Sequence, residues 1–232
     1  MAQKYNLGWL FDVGHILFPT VCGACGLPVQ KTTDVLCVSC MFKLPRTFYY
    51  KHPDNPVYRK FWGRLPVHEA FTYLHFRKGN VVQTLLHALK YHGNQQVGES
   101  LGRMFGKELA DAGYSGPEVI IPLPLHKAKL RSRGFNQCDS IGRGLCGELG
   151  LELDTDSVKR VIANPTQTKK SRFERWLNVD KIFVAAAPER ISGRHVLLID
   201  DVITTGSTLE SCGRCVLDAG ARKVSIATVA GA

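Results

Sequence analysis

No run of 18 apolar residues occurs in the 232-residue chain, so no membrane-spanning helix is expected. No GxxxxGK[ST] loop occurs, which excludes a P-loop nucleoside triphosphatase. No secretory leader is expected either. In the opening MAQKYNLGWLFDVGHILFP, Asp12 and His15 interrupt the apolar stretch and no small-residue cleavage site follows. Leu7, Leu10, Phe11, Leu17 and Phe18 fall on one face of a short amphipathic helix expected to pack on the protein. Without export features the chain is expected to be cytoplasmic. Acidic residues are scarce beside basic ones, 20 against 30, leaving a net charge of +10. That surplus suits polyanionic partners, nucleic acid or phosphorylated small molecules, or else a plain solvated surface. Nothing in the pattern sets an oligomeric state.

What is present begins with cysteine. Of eight, four fall in two pairs, Cys22 and Cys25 in CGAC, then Cys37 and Cys40 in CVSC. Two CxxC units joined by a short turn place four thiolates around one tetrahedral ion, as a zinc ribbon requires. Gly26 suits the tight turn that aims backbone N–H groups at sulfur. Two disulfides are the competing reading, disfavoured by the expected reducing compartment. Four thiolates leave no open position, so the expected zinc is structural. The third pair, Cys212 and Cys215, lies inside an expected helix, and Cys138 and Cys146 read as small core residues.

Residues 1–45 are thus expected to form the amphipathic helix and ribbon. Residues 46–65, rich in proline and aromatic and basic side chains, would be a connector with little regular structure. Residues 66–232 form the main domain. There HEAFTYLHF alternates as a strand or hairpin arm, and NVVQTLLHALKYHG is an amphipathic helix. A second helix spans about 97–112, EVIIPLPL is a buried strand, and NQCDSIGRGLCGEL is a helix. Strands over DKIFVAA, HVLLIDD and KVSIATVA and a helix over 208–219 complete an α/β domain with a mainly parallel sheet. GRGLCG at 142–147 fits the letters of a dinucleotide fingerprint, but no strand precedes it, so it is discounted.

The most telling stretch is VLLIDDVITTGST at 196–208. An apolar run reads as a strand buried on both faces, and it ends in two acids before a loop that opens a helix. Ligands of open α/β sheets bind at the carboxyl ends of the strands. Thr204, Thr205, Gly206, Ser207 and Thr208 offer hydroxyls and backbone N–H groups at a helix N-terminus, a phosphate cradle. Asp200 and Asp201 are acceptors suited to the vicinal hydroxyls of a ribose or to hydrated magnesium. Phosphate and two sugar hydroxyls together describe a ribose 5-phosphate.

This motif resembles that of the type I phosphoribosyltransferases. Together with IPLPLHKAKLRSRGFNQ, NPTQTKKSRFERWLNV, LKYHG at 89–93 and FPTVCGACG, the chain is similar to the ComF family from about residue 17 to 232. Members of that family pair a zinc ribbon with a phosphoribosyltransferase domain and are associated with DNA uptake and natural transformation. The resemblance implies that Asp200 and Asp201 hold the ribose hydroxyls of phosphoribosyl pyrophosphate (PRPP) and that residues 204–208 cradle its 5-phosphate. It implies a pyrophosphate loop at Leu125, His126 and Lys127, assisted by Arg131 and Arg133 and by Mg²⁺. It implies a flexible hood carrying Thr166, Gln167, Thr168 and Arg172. The reaction would be displacement of pyrophosphate at the anomeric carbon by a nitrogen nucleophile. The last strand leaves no following segment for an acceptor hood, so the acceptor pocket is expected around residues 65–95. The alternative is a protein that binds single-stranded DNA, partners the uptake machinery and keeps the PRPP site as a regulatory or relic site. On that alternative the exposed basic residues Lys127, Lys129, Arg131 and Arg133 would meet a nucleic-acid backbone.

Overall fold

The computed structural model describes residues 21–29, 35–91, 93–162 and 182–231. Its centre is a five-stranded parallel sheet in the order β1-β7-β6-β2-β3. The strands are β1 (Glu69–His75), β2 (Val119–Pro122), β3 (Glu152–Leu153), β6 (His195–Ile203) and β7 (Lys223–Gly231). The HEAFTYLHF segment is therefore an edge strand rather than a hairpin arm. A separate antiparallel pair, β4 (Val158–Arg160) and β5 (Phe183–Ala185), stands apart from the main sheet. Between its two strands lie residues 163–181, which fall outside the described residues together with the expected hood.

The pleat of β6 sorts its side chains onto two cores. Leu197 and Ile199 face a layer built from α3 (Val81–Tyr91), α4 (Gln95–Asp111) and α6 (Gln137–Leu149). Val196 and Leu198 face α7 (Ser207–Asp218) and the segment around 57–67. The α3 face repeats Val82, Leu85, Leu86 and Leu89, the helical spacing that buries one stripe. Each such buried side chain contributes roughly 1.5–3 kcal/mol. The four-cysteine unit joins the first core through Cys22, Leu36, Cys40 and Leu44, the last lying just beyond the short helix α1 (Val38–Phe42).

One contact fixes the site's frame. Gly98, Gly102 and Gly106 recur every fourth residue along α4 and lie against α6. A Cβ at Gly102 would stand 2.1 Å from the Ile141 carbonyl oxygen, and one at Gly144 would stand 2.1 Å from that of Glu99. The two backbones touch, so any side chain there forces the helices apart. The GRGLCG stretch is thus a packing surface inside α6, as its lack of a preceding strand indicated.

The expected connector is more ordered than its composition suggested. It contains a 3-10 turn, Tyr49–Lys51, and a short helix α2, Pro56–Arg59. Asn55 caps α2 by accepting from the N–H groups of Val57 and Tyr58 at 2.9 and 3.1 Å, with Pro56 at the first helical position. Its amide also donates to the Ala70 carbonyl at 2.8 Å, tying the segment to β1. Val57, Phe61 and Leu65 are buried at helical spacing in the second core. Proline density masked an Asn-Pro helix start.

Candidate functional site: an acid pair and a hydroxyl loop

β6 does not stop at its acids. Asp200 pairs with Thr228 and Ile203 with Gly231, so the strand carries both carboxylates to the carboxyl end of the sheet. Successive strand residues face opposite ways, and the pair splits accordingly. Asp201 is buried, with its Oδ2 2.9 Å from Lys90 Nζ on α3. Asp200 instead receives the Cys138 thiol at 3.4 Å and the Asp201 backbone N–H at 2.8 Å. Burial first, and then the charge of Asp201, pushes the Asp200 carboxyl up to about 7, against the pull of those two donors and of Lys90. Arg160 on β4 is within electrostatic reach of Asp200. Burial lowers its pKa and the carboxylate opposes that shift.

Residues 204–208 follow at once. Asp200 and residues 202–209 line a small opening of about 50 Å³. Gly206 has φ +77°, a conformation L side chains rarely adopt, and it caps α7. Beneath it the Phe61 ring is fully buried, and a Cβ on Gly206 would lie 3.1 Å from that ring. Thr205 and Ser207 hydroxyls are 3.2 Å apart. From the side, Arg64 donates to the Thr205 carbonyl at 2.9 Å and makes a two-pronged contact with Glu210 at 2.9 and 2.5 Å. Arg214 closes this clamp by donating to the Arg64 carbonyl at 2.6 Å. The loop is thus held from below by an aromatic ring and from its flank by an arginine. Both come from the expected connector.

The expected pyrophosphate segment leaves β2 as a loop through Leu125 and His126 and continues as a helix from Lys127. His126 caps α5 (Lys127–Arg133), its Nδ1 accepting from the Ala128 N–H at 3.2 Å. No α5 residue is buried, and Arg133 reaches Gln137 on α6. Leu125 stands between this cap and β2. One residue pair links the segment to the acids. Asn136 caps α6 and donates to the Leu123 carbonyl at 3.2 Å, two residues before Cys138 meets Asp200. Thr166, Gln167, Thr168 and Arg172 lie outside the described residues.

The second candidate site is the four-cysteine cluster. Sγ atoms of Cys22, Cys25, Cys37 and Cys40 all lie within 4.8 Å of one another, with Cys25 and Cys37 3.7 Å apart. A tetrahedron with metal–sulfur bonds of about 2.3 Å has edges of about 3.8 Å, so the donor set and spacing suit a tetrahedral ion. None of the four is in a disulfide. Burial raises the Cys22 thiol, but backbone N–H groups of Cys37, Cys25 and Ala24 outweigh it and bring the thiol down to about 6. Cys40 is pushed up to about 12 by burial and by its three sulfur neighbours. Gly26 has φ +75°, as the turn required.

A parallel sheet with an acid pair and a Thr/Gly/Ser loop at the end of its central strand defines a phosphoribosyltransferase-like protein of the type I class. In keeping with this, residues 140–232 match the phosphoribosyl transferase domain family. The DNA utilization protein YhgH of Shigella flexneri is 29% identical, covering 89% of this chain and 82% of its own length. Competence protein F of Haemophilus influenzae is 31% identical over 61% of this chain and 64% of its own. Competence protein ComFC of Bacillus subtilis is 27% identical over 86% and 79%. These similarities support a ComF-type, phosphoribosyltransferase-like protein. Among the described residues no helix is long and apolar enough to cross a membrane.

Sequence reading did not find Lys90, Arg64, Phe61 or Cys138 as parts of the site. Lys90 lay within the LKYHG stretch, whose lysine follows four apolar helix positions and so sits at the helix end. That was the one signal available. Arg64 and Phe61 were hidden in a segment read as linker.

Proposed function

We propose that this chain binds PRPP with Mg²⁺ and transfers its phosphoribosyl group, with Asp200 and Asp201 on the ribose hydroxyls and residues 204–208 on the 5-phosphate. The observation that carries this reading is the continuous β6–loop–α7 unit, with the Asp200 carboxylate, hydroxyls and a left-handed glycine around one opening and Asp201 on the opposite face of the strand. Backbone N–H groups at the start of α7 suit the phosphate dianion, while acids at the strand end suit hydroxyls rather than phosphate. Bound Mg²⁺ would supply positive charge to the pyrophosphate as it departs. Lys127, Arg131 and Arg133, with Leu125 and His126 at the base of α5, are the chain's own groups for that end. Thr166, Gln167, Thr168 and Arg172 would exclude water from the anomeric carbon. The four-cysteine cluster holds structural zinc on this reading, residues 1–45 form its unit, 46–65 the connector and 66–232 the catalytic domain. The compartment is the cytoplasm, where such thiols stay reduced.

Calorimetric titration of PRPP with Mg²⁺ tests this directly. Wild type binds, and an Asp200→Asn/Asp201→Asn double variant does not. Absence of magnesium-dependent binding in wild type sinks the proposal. Pyrophosphate release in the presence of candidate nitrogen acceptors then separates catalysis from binding alone.

A second reading has its own support. The solvated helix α5 carries Lys127, Lys129, Arg131 and Arg133 with no ion pair to any of them among the described residues. Relatives are named for competence and DNA utilization. On this reading α5 meets the backbone of single-stranded DNA handled by the uptake machinery. Affinity would then fall steeply with salt, and a salt-independent affinity counts against it.

A further inference from the structure

Lys90 pairs with Asp201 of the acid pair, its Nζ 2.9 Å from Oδ2. We propose that it is a positioning residue of the phosphoribosyl donor site, holding the Asp201 carboxylate aimed while that site is empty. The inference rests on the PRPP reading above.

The geometry supports it from both sides. The Asp201 side chain is 7% exposed, and a carboxylate so buried is costly unless a cation compensates it. Lys90 Nζ provides that cation at 2.9 Å, yet Oδ2 receives no aligned hydrogen bond among the described residues. The contact is an ion pair that leaves the oxygen with acceptor capacity to spare. Lys90 itself is held by its helix. The α3 stripe of Val82, Leu85, Leu86 and Leu89 is fully packed, and Lys90 sits in the last turn, where the helix dipole favours a positive charge. Leu85 is wedged further by the four-cysteine unit, since a Cβ on Gly23 would stand 3.6 Å from its Cδ2.

A lysine suits this duty better than an arginine fork. Its ammonium is a compact point charge on a flexible stem, and a quarter of the side chain is exposed. The ammonium can move outward without breaking an aligned bond, which would free the buried Oδ2 as the site fills. Lys90 therefore acts through Asp201, and its loss raises the cost of presenting that carboxylate.

The test is a double-mutant cycle on PRPP affinity with Mg²⁺ at fixed ionic strength, using K90M, K90R, D201N and K90M/D201N. Expected is a loss of about tenfold for K90M, recovery to within about threefold of wild type for K90R, and a double variant no weaker than D201N alone. Thermal melts of all four accompany the titrations. Wild-type affinity in K90M overturns the proposal. So do additive losses in the double variant, which would mean that Lys90 does not work through Asp201. An equal loss in K90R, with a lowered melting temperature in both, assigns Lys90 a structural role and also overturns it. The PRPP reading fails in a different way, with wild type itself showing no binding.

Discussion

The four-cysteine cluster and the acid pair both crowd groups of like charge, and the chain resolves the two by opposite means. At the cysteines no ion pair to a thiolate occurs among the described residues. The nearest help is backbone N–H groups, which lower Cys22 while Cys40 stays high, so the unit suits a cation from outside. At the acids the fold supplies the answer itself. The pleat of β6 sends the carboxylates to opposite faces, Lys90 meets one, and the other is left part-protonated near neutrality. The first arrangement, on the zinc reading, would use an ion to hold a fold. The second uses a fold to hold a site ready for a ligand.

The sharpest way to break this comparison is to remove the outside cation. In the Cys37→Ser/Cys40→Ser variant, or after chelation, metal should fall from about one ion per chain to none. Residues 21–44 should become sensitive to limited proteolysis, because structural zinc contributes on the order of 10 kcal/mol to such units. Unchanged resistance in a metal-free protein would show that packing alone holds the unit.

A smaller effect is expected at the acids. The carboxyl of Asp200 has a folded-state pKa raised to about 7, so its contribution to stability is present below the unfolded value near 4 and is lost as pH climbs through about 7. Asp200→Asn removes that loss. The variant should melt above wild type by roughly 3–8 °C at pH 8, and by clearly less at pH 5. An equal gain at both pH values would remove ionisation as the cause. The same substitution should weaken PRPP binding, placing stability and function in opposition at one residue.

The smallest effect concerns the clamp. Arg64→Ala loses the donor to the Thr205 carbonyl and the pairing with Glu210, both partly exposed. PRPP affinity should drop about fivefold, after discounting for solvent screening, with the fold intact by circular dichroism. Unaltered affinity would mean that Phe61 and Gly206 suffice to shape the loop.

Legibility followed distance along the chain. VLLIDDVITTGST could be read because strand, acids, loop and helix start are contiguous, and the CxxC pairs because ligand spacing is local. The contacts that finish the donor site are long-range. Arg64 to Thr205 spans 141 residues and Cys138 to Asp200 spans 62. No periodicity announces them. Composition also misled where proline and aromatics suggested a linker, since Asn55-Pro56 starts a helix and Phe61 is the floor of the loop. The glycines of α4 and α6 carried no visible sign of their use, because close backbone approach is a property of the pair.

The position of β7 has a kinetic corollary. β1 enters the sheet through β7 alone among the described strands, and Thr72 meets the Thr228 carbonyl across 156 residues. As the chain leaves the ribosome, β1 appears early and waits for a partner synthesised some 150 residues later. Until then it is an open, mostly apolar edge. Assembly of the sheet is therefore a late, non-local event, of the sort that folds slowly and exposes nascent chains to self-association. The candidate site, which depends on β6 beside β7, comes into being only at that closing step.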